Sequence, residues 1–247
     1  MKLNSNTLKV IAIIAMTIDH ITWCLFPGYP TEIIPVLLHT IGRITCPVMC
    51  YFIAEGFYHT RNINKYTTRL FVFAVISHFA YVFASGNFVD IKSFIPFYYG
   101  DIFNQTSVIW PLAWGLVMLR IEKSARIKSV WLKTLFMILI CVITFPSDWS
   151  CVASLCVFAI GVNRGDFKKQ MSWMCFFVLT YAVVYFFAIN KVYGIVQMGV
   201  VLSIPLLTMY NGVRGKNHNI NKFMKWFFYL YYPLHLVVIG FFAMYIN

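Results

Sequence analysis

Apolar stretches of membrane-crossing length recur from one end of this chain to the other, separated by short connections rich in Asn, Pro, Gly and charge. Crossing about 30 Å of hydrocarbon takes about 20 residues of helix. Nine stretches are candidates, near residues 7–26, 35–58, 67–85, 104–121, 130–146, 149–163, 171–189, 194–210 and 222–245, the fifth and sixth being short. With 60% hydrophobic and only 11% charged residues over 247 positions, against about 25% charged in an ordinary soluble domain, a water-soluble fold would lack the polar surface to cover itself. The chain carries no alternating run long enough for an outer-membrane barrel, no low-complexity tract and no Cys-x-x-Cys pair. The expectation is an all-α integral membrane protein, one domain over 1–247, built as a polytopic bundle of about nine transmembrane helices.

The first stretch begins with a short basic segment but lacks a small-residue cleavage pattern, and Asp19-His20 interrupts it. It therefore reads as a transmembrane helix and not a signal peptide. The seven cysteines, an odd number, lie inside or at the edges of apolar segments, so they read as small buried thiols. Lys and Arg are retained on the cytoplasmic side of short loops. With the N-terminus cytoplasmic and nine crossings, sixteen of the twenty basic residues fall inside and only Lys92 and Lys191 outside, with Lys9 and Arg43 within spans. The C-terminus then lies outside. The +12 net charge is accounted for by this asymmetry beside anionic lipid, with no nucleic-acid partner implied.

Ionisable groups inside spans are costly, face the bundle interior and mark sites. Here they are Lys9, Asp19, His20, Arg43, Glu55, His78, Asp148 and His235. Lys9 and His20, eleven residues apart, lie about 20° from eclipsed on one helical face and about 16 Å apart in rise. That face carries a cation at the inner mouth and an imidazole deeper in. Asp19 points about 100° away from His20 and is expected to meet Arg43 or His235. Arg43 has no accessible neutral state and needs an anion; Asp19 and Asp148 are the candidates by depth. Glu55, beside the basic stretch Arg61–Arg69, is expected to pair with one of those cations. In Tyr231-Tyr232-Pro233-Leu234-His235 a mid-span proline leaves a carbonyl without its helical donor, next to a histidine. His39, His59 and His218 read as interfacial. Each group also has a plain reading: snorkelling for Lys9, a hydrogen-bonded structural histidine for His20, a structural ion pair for Arg43.

Lys9-x10-His20 with Asp19, Gly42-Arg43 through Cys46-Pro47 to Glu55-Gly56, Thr60-Arg61, Lys65-Tyr66, Arg69-Leu70, and Phe228 through Leu236 together resemble the TraX family of bacterial membrane proteins. The resemblance is most specific in the first 75 and last 25 residues. It implies a multi-pass acyltransferase of the bacterial inner membrane, of the kind that acetylates a pilin N-terminus during conjugal transfer. The Lys9-x10-His20 spacing is also similar to the Lys/Arg-x10-His motif of membrane acyltransferases that decorate envelope sugars. There the histidine is catalytic and acetyl-CoA arrives from the cytoplasm. The resemblance thus implies acetyl-CoA as acyl donor, an amine or hydroxyl acceptor on a protein N-terminus or envelope sugar, and no metal.

On this reading His20, Asp19, Arg43 and His235 form the catalytic group, with His20 as general base, and Lys9, Arg61, Lys65 and Arg69 hold the CoA phosphates. Glu55, Asp148 and Tyr232 are further intramembrane polar candidates. The competing reading is a small permease using the same His/Asp/Arg cluster as a substrate or proton pathway, against which stands the absence of an internal repeat between the two halves.

Overall fold

The computed structural model describes residues 2–86, 91–95 and 104–246. These residues are helical apart from turns, short connections and two isolated bridges. Helices α1 (Ser5–Leu25), α2 (Ile33–Gly42), α3 (Thr45–His59), α4 (Ile63–Ala84), α5 (Ile109–Glu122), α6 (Val130–Thr144), α7 (Ser150–Val162), α8 (Phe167–Ala188), α9 (Lys191–Gln197), α10 (Ser203–Thr208) and α11 (His218–Ile246) follow in order. Among the described residues six helical stretches are long and apolar enough to cross a membrane: Ser5–Leu25, Ile33–His59, Ile63–Ala84, Phe167–Ala188, Lys191–Thr208 and His218–Tyr245. The three remaining expected crossings correspond to α5, α6 and α7, of only 14, 15 and 13 residues.

The helix starts follow from side-chain capping. Asn4, Asn62, Ser129, Asp166 and Asn190 each accept a backbone N–H from the first turn that follows, satisfying donors that a helix leaves unpaired.

The shortness of α7 has a packing cause. It is the hub of the bundle, against α3, α5, α6 and α8, and Val152, Ala153, Cys156, Val157 and Ile160 are buried in the main apolar core. Its small residues let neighbours close in, as at polar-poor membrane interfaces. A Cβ on Gly115 of α5 would strike Val157 and the Ser154 backbone, and Ser154 Oγ donates to the Pro111 carbonyl at 2.6 Å.

Two expected spans differ in form. The second is not one continuous helix: it breaks after Gly42, and Arg43 caps α2 while α3 starts at Thr45. Pro47 therefore sits in the first turn of α3, where its missing N–H costs nothing. The stretch 194–210 is broken by a 3-10 turn, Met198–Leu202, between α9 and α10. The expected start at 104 is also moved. Residues 104–108 are an irregular connection, Thr106 bridging Ser147, and α5 begins at Ile109.

Candidate active site

Asp19 and His20 leave α1 in different directions and organise two adjoining groups. Asp19 faces α2. Its Oδ2 accepts from Arg43 Nη2 at 2.6 Å and its Oδ1 from His39 Nδ1 at 2.7 Å. Arg43 further donates to Gln197 Oε1 and to the His39 carbonyl, both at 3.2 Å, and its guanidinium stands 5.5 Å from the Trp149 ring centre. The break after Gly42 belongs to this arrangement, since any Cβ at Gly42 would collide with the Asp19 side chain. Of the two anions expected for Arg43, Asp19 makes the ion pair. Asp19 does not meet His235.

His20 faces α11. Its Nδ1 lies 2.7 Å from His235 Nε2, the two rings stacked, and His235 Nδ1 lies 3.0 Å from the Tyr231 carbonyl oxygen. A carbonyl only accepts, so His235 carries its proton on Nδ1 and, as a neutral ring, offers a lone pair at Nε2. His20 then donates from Nδ1. With both rings neutral, His20 Nε2 is left as a free base. Thr17 and Tyr231 hold the same α1–α11 seam through a 2.7 Å hydroxyl contact.

Both groups border one cavity of about 450 Å³, lined among others by Asp19, His20, Arg43, Asp148, Trp149 and Tyr232. The Tyr232 hydroxyl is buried beside Ser107 and the Val108 amide. Phe228 also lines the cavity, and its ring lies 5.4 Å from Lys9 Nζ, with Phe52 at 5.1 Å on another side. Lys9 does not itself line the cavity but packs behind Phe228, which does.

Around Lys9 is a cationic mouth that the sequence located only in part. A strand-like contact joins the residues before α1 to the connection between α10 and α11: Leu3 N donates to Met209 O at 2.8 Å, Asn211 N to Leu3 O at 2.9 Å and Ser5 N to Val213 O at 2.9 Å. This brings Arg214 under α1. Lys9 and Arg214 interact electrostatically, as do Lys225, Arg69 and Arg214, and none of the four makes an ion pair within 4 Å with a carboxylate among the described residues. Arg69 lies against the rings of Tyr66 and Tyr229, and its Nε is buried without a partner. Arg61 and Lys65, expected here, are exposed. Arg214 and Lys225 were read as topology charges, which no sequence pattern separates from site charges.

Glu55 takes a different partner from the one expected. It binds Arg164 at 3.2 Å and His59 at 3.1 Å, because α3 packs on α7, whose end carries Arg164. His78 is a structural bracket between Thr106 Oγ1 at 3.0 Å and the Phe94 carbonyl at 2.9 Å. His39, read as interfacial, is fully buried against Trp23 and Tyr193. Its lack of any special spacing left no signal. Among the described residues no group of three or more His, Cys, Asp or Glu side chains could hold a metal.

The chain matches the family model described as TraX protein over residues 4–243. It is 28% identical over 242 residues to a protein of Dichelobacter nodosus named as a probable fimbrial assembly protein FimC, serogroup H1, covering 94% of this chain and 92% of that one. It is 33% identical over 98 residues to an uncharacterized protein of Rickettsia prowazekii, covering 40% of this chain and 35% of that one. No solved structure matches.

Proposed function

The chain belongs to the TraX family, and from that premise we propose that it is an acetyl-CoA-dependent acetyltransferase of the bacterial inner membrane. The observation that carries the reading is the proximity of two chemistries. Lys9, which makes no ion pair within 4 Å among the described residues, packs on Phe228 of the cavity wall, and His20, with a lone pair left at Nε2, lines the same cavity further in. Guanidinium and ammonium groups suit the phosphates of CoA, and Arg69 Nε, buried and unpartnered, is a donor awaiting an acceptor. His20 takes a proton from the acceptor amine or hydroxyl as it attacks the thioester carbon. Arg43 or a backbone donor near Pro233 steadies the developing oxyanion, and Asp19 fixes Arg43. The Dichelobacter nodosus relative is named for fimbrial assembly, which supports a pilin-type N-terminus as acceptor, with an envelope sugar as the other candidate.

The test is transfer of labelled acetyl from acetyl-CoA by protein reconstituted in lipid nanodiscs. A protein that neither binds CoA nor transfers acetyl to an amine or an alcohol rejects the reading in favour of a permease. For the donor site, Lys9→Ala and Arg69→Ala are each expected to weaken CoA binding about tenfold or more, the consequence of losing one charged hydrogen bond. By its position Arg214→Ala is expected to do the same and Arg61→Ala to have little effect. Equal affinities for Lys9→Ala, Arg69→Ala and the unaltered protein would remove the mouth from the mechanism.

The proposed topology has nine crossings with the N-terminus cytoplasmic and the C-terminus outside, supported by the sixteen-to-two division of basic residues. Reporter fusions at Lys128, Lys168 and Lys216 are all expected to report cytoplasm. An external report at Lys168 would mean that α7, enclosed in protein as it is, turns back without crossing.

A further inference from the structure

We propose that Asp148 receives a cationic nitrogen of the acceptor in the cavity beside His20, making it the residue that selects a primary amine over an alcohol; this rests on the acetyl-transfer reading.

The first ground is charge balance. Two carboxylates and one guanidinium line the cavity. Asp19 has both oxygens engaged, by His39 and Arg43, and Arg43 has its remaining donors on Gln197 and the His39 carbonyl. Among the described residues Asp148 has no ion pair within 4 Å. An ionised carboxylate taken out of water calls for a cation; the one described cation of the cavity wall, Arg43, acts on Asp148 only from a distance, its hydrogen bonds going to Asp19, Gln197 and the His39 carbonyl. The second ground is Tyr232, 5% exposed, which lines the same cavity and whose hydroxyl sits beside Ser107 and the Val108 amide, adding a polar group next to Asp148. Aromatic faces complete the setting: Trp149 stacks on Tyr181 at 5.8 Å between ring centres, and Tyr81 and Tyr185 share the cavity wall. Ring faces attract ammonium groups and are indifferent to a neutral hydroxyl's charge.

The third ground is the backbone. Trp149 and Ser150, neither of them glycine, hold φ of 63° and 48°. Left-handed residues of this kind are retained where the surroundings enforce them, and they cluster at functional sites. Here Asp148 N donates to the Thr106 carbonyl at 2.8 Å and Ser150 N to the Ser147 carbonyl at 2.7 Å. The turn presents Asp148 to the cavity and lays Trp149 beneath Arg43.

The chemistry separates the two acceptors. An ammonium must lose a proton before its nitrogen can attack, and Asp148 takes it. The amine nitrogen bonds to the thioester carbon and gives its second proton to His20 Nε2. The C–S bond breaks, and the CoA sulfur leaves with the proton from His20. Amide and thiol are formed, and the proton on Asp148 returns to water. An alcohol brings one proton and no charge, so its route needs His20 and makes no use of Asp148.

The experiment uses octylamine and octanol as matched probes with Asp148→Asn, Asp148→Glu and the unaltered protein in nanodiscs. The ratio of kcat/KM for octylamine to that for octanol is expected to fall at least about tenfold in Asp148→Asn and to recover in part in Asp148→Glu. Binding of octylammonium without acetyl-CoA, followed by tryptophan fluorescence, is expected to weaken by a similar factor. An unchanged ratio, or unchanged octylammonium affinity in Asp148→Asn, overturns the proposal. Because the binding arm uses no acetyl donor, octylammonium binding that depends on Asp148 in a protein without transferase activity would reject the acetyl-transfer reading and keep the cation site.

Discussion

Replacement of His20 by alanine is expected to reduce acetyl transfer by about 10²–10⁴-fold, the range for loss of a general base, while CoA binding and membrane insertion persist. The size follows from the hydrogen-bond chain. The Tyr231 carbonyl fixes the proton on His235 Nδ1, His235 Nε2 then accepts from His20 Nδ1, and the lone pair of His20 is left at Nε2 of a ring that lines the cavity. Orienting the tautomer in this way gives His235 a supporting role, so His235→Ala is expected to cost less than His20→Ala. Single-turnover acetyl transfer by each variant, with CoA affinity measured in parallel, checks both. Transfer by His20→Ala within about tenfold of the unaltered protein would reject His20 as base and make His235 the next candidate. Reversal of the order, with His235→Ala the slower, would mean that the proton enters the relay from the α11 side.

The parts of this site that were legible in the sequence are those that a membrane makes expensive. Lys9, Asp19, His20, Arg43 and His235 stood out because few ionisable residues occur in the apolar stretches, and helical geometry alone put Lys9 and His20 on one face. The choice between Arg43 and His235 as the partner of Asp19 was not legible. It depends on α2 crossing α1 where Gly42 removes a side chain and on α11 approaching the other face. His39 was passed over since a histidine at the fifth residue of an expected span looks interfacial until the α1–α2 crossing buries it. Arg214 reaches the mouth through backbone pairing between residues 3–5 and 209–213, contacts between distant parts of the chain that no local pattern encodes. The second span was misread as continuous because Pro47 gave a break signal three to four residues beyond the break itself, at a position the first turn of α3 tolerates.

The ion pair at the centre of the bundle leads to the largest expected change in stability. Asp19→Ala removes the only carboxylate among the described residues that binds Arg43, and leaves the His39 Nδ1 proton without its acceptor. A buried guanidinium without a counter-ion is worse than no ion at all, and breaking one side of such a pair costs about 3–5 kcal/mol. Asp19→Ala is therefore expected to lower the thermal midpoint of the detergent-solubilised protein strongly, and Arg43→Ala to do so by a similar mechanism from the other side. The pair's net worth is a separate quantity, because forming it required stripping water from both charges. The double variant Asp19→Leu with Arg43→Met removes both charges together and is expected to be markedly more stable than Asp19→Ala while losing transferase activity. Thermal unfolding of the unaltered protein, Asp19→Leu, Arg43→Met and the double variant, read as a double-mutant cycle, decides the point, with Asp19→Ala measured beside them. A double variant as unstable as Asp19→Ala would mean that packing around Gly42, and not the uncompensated charge, sets the cost.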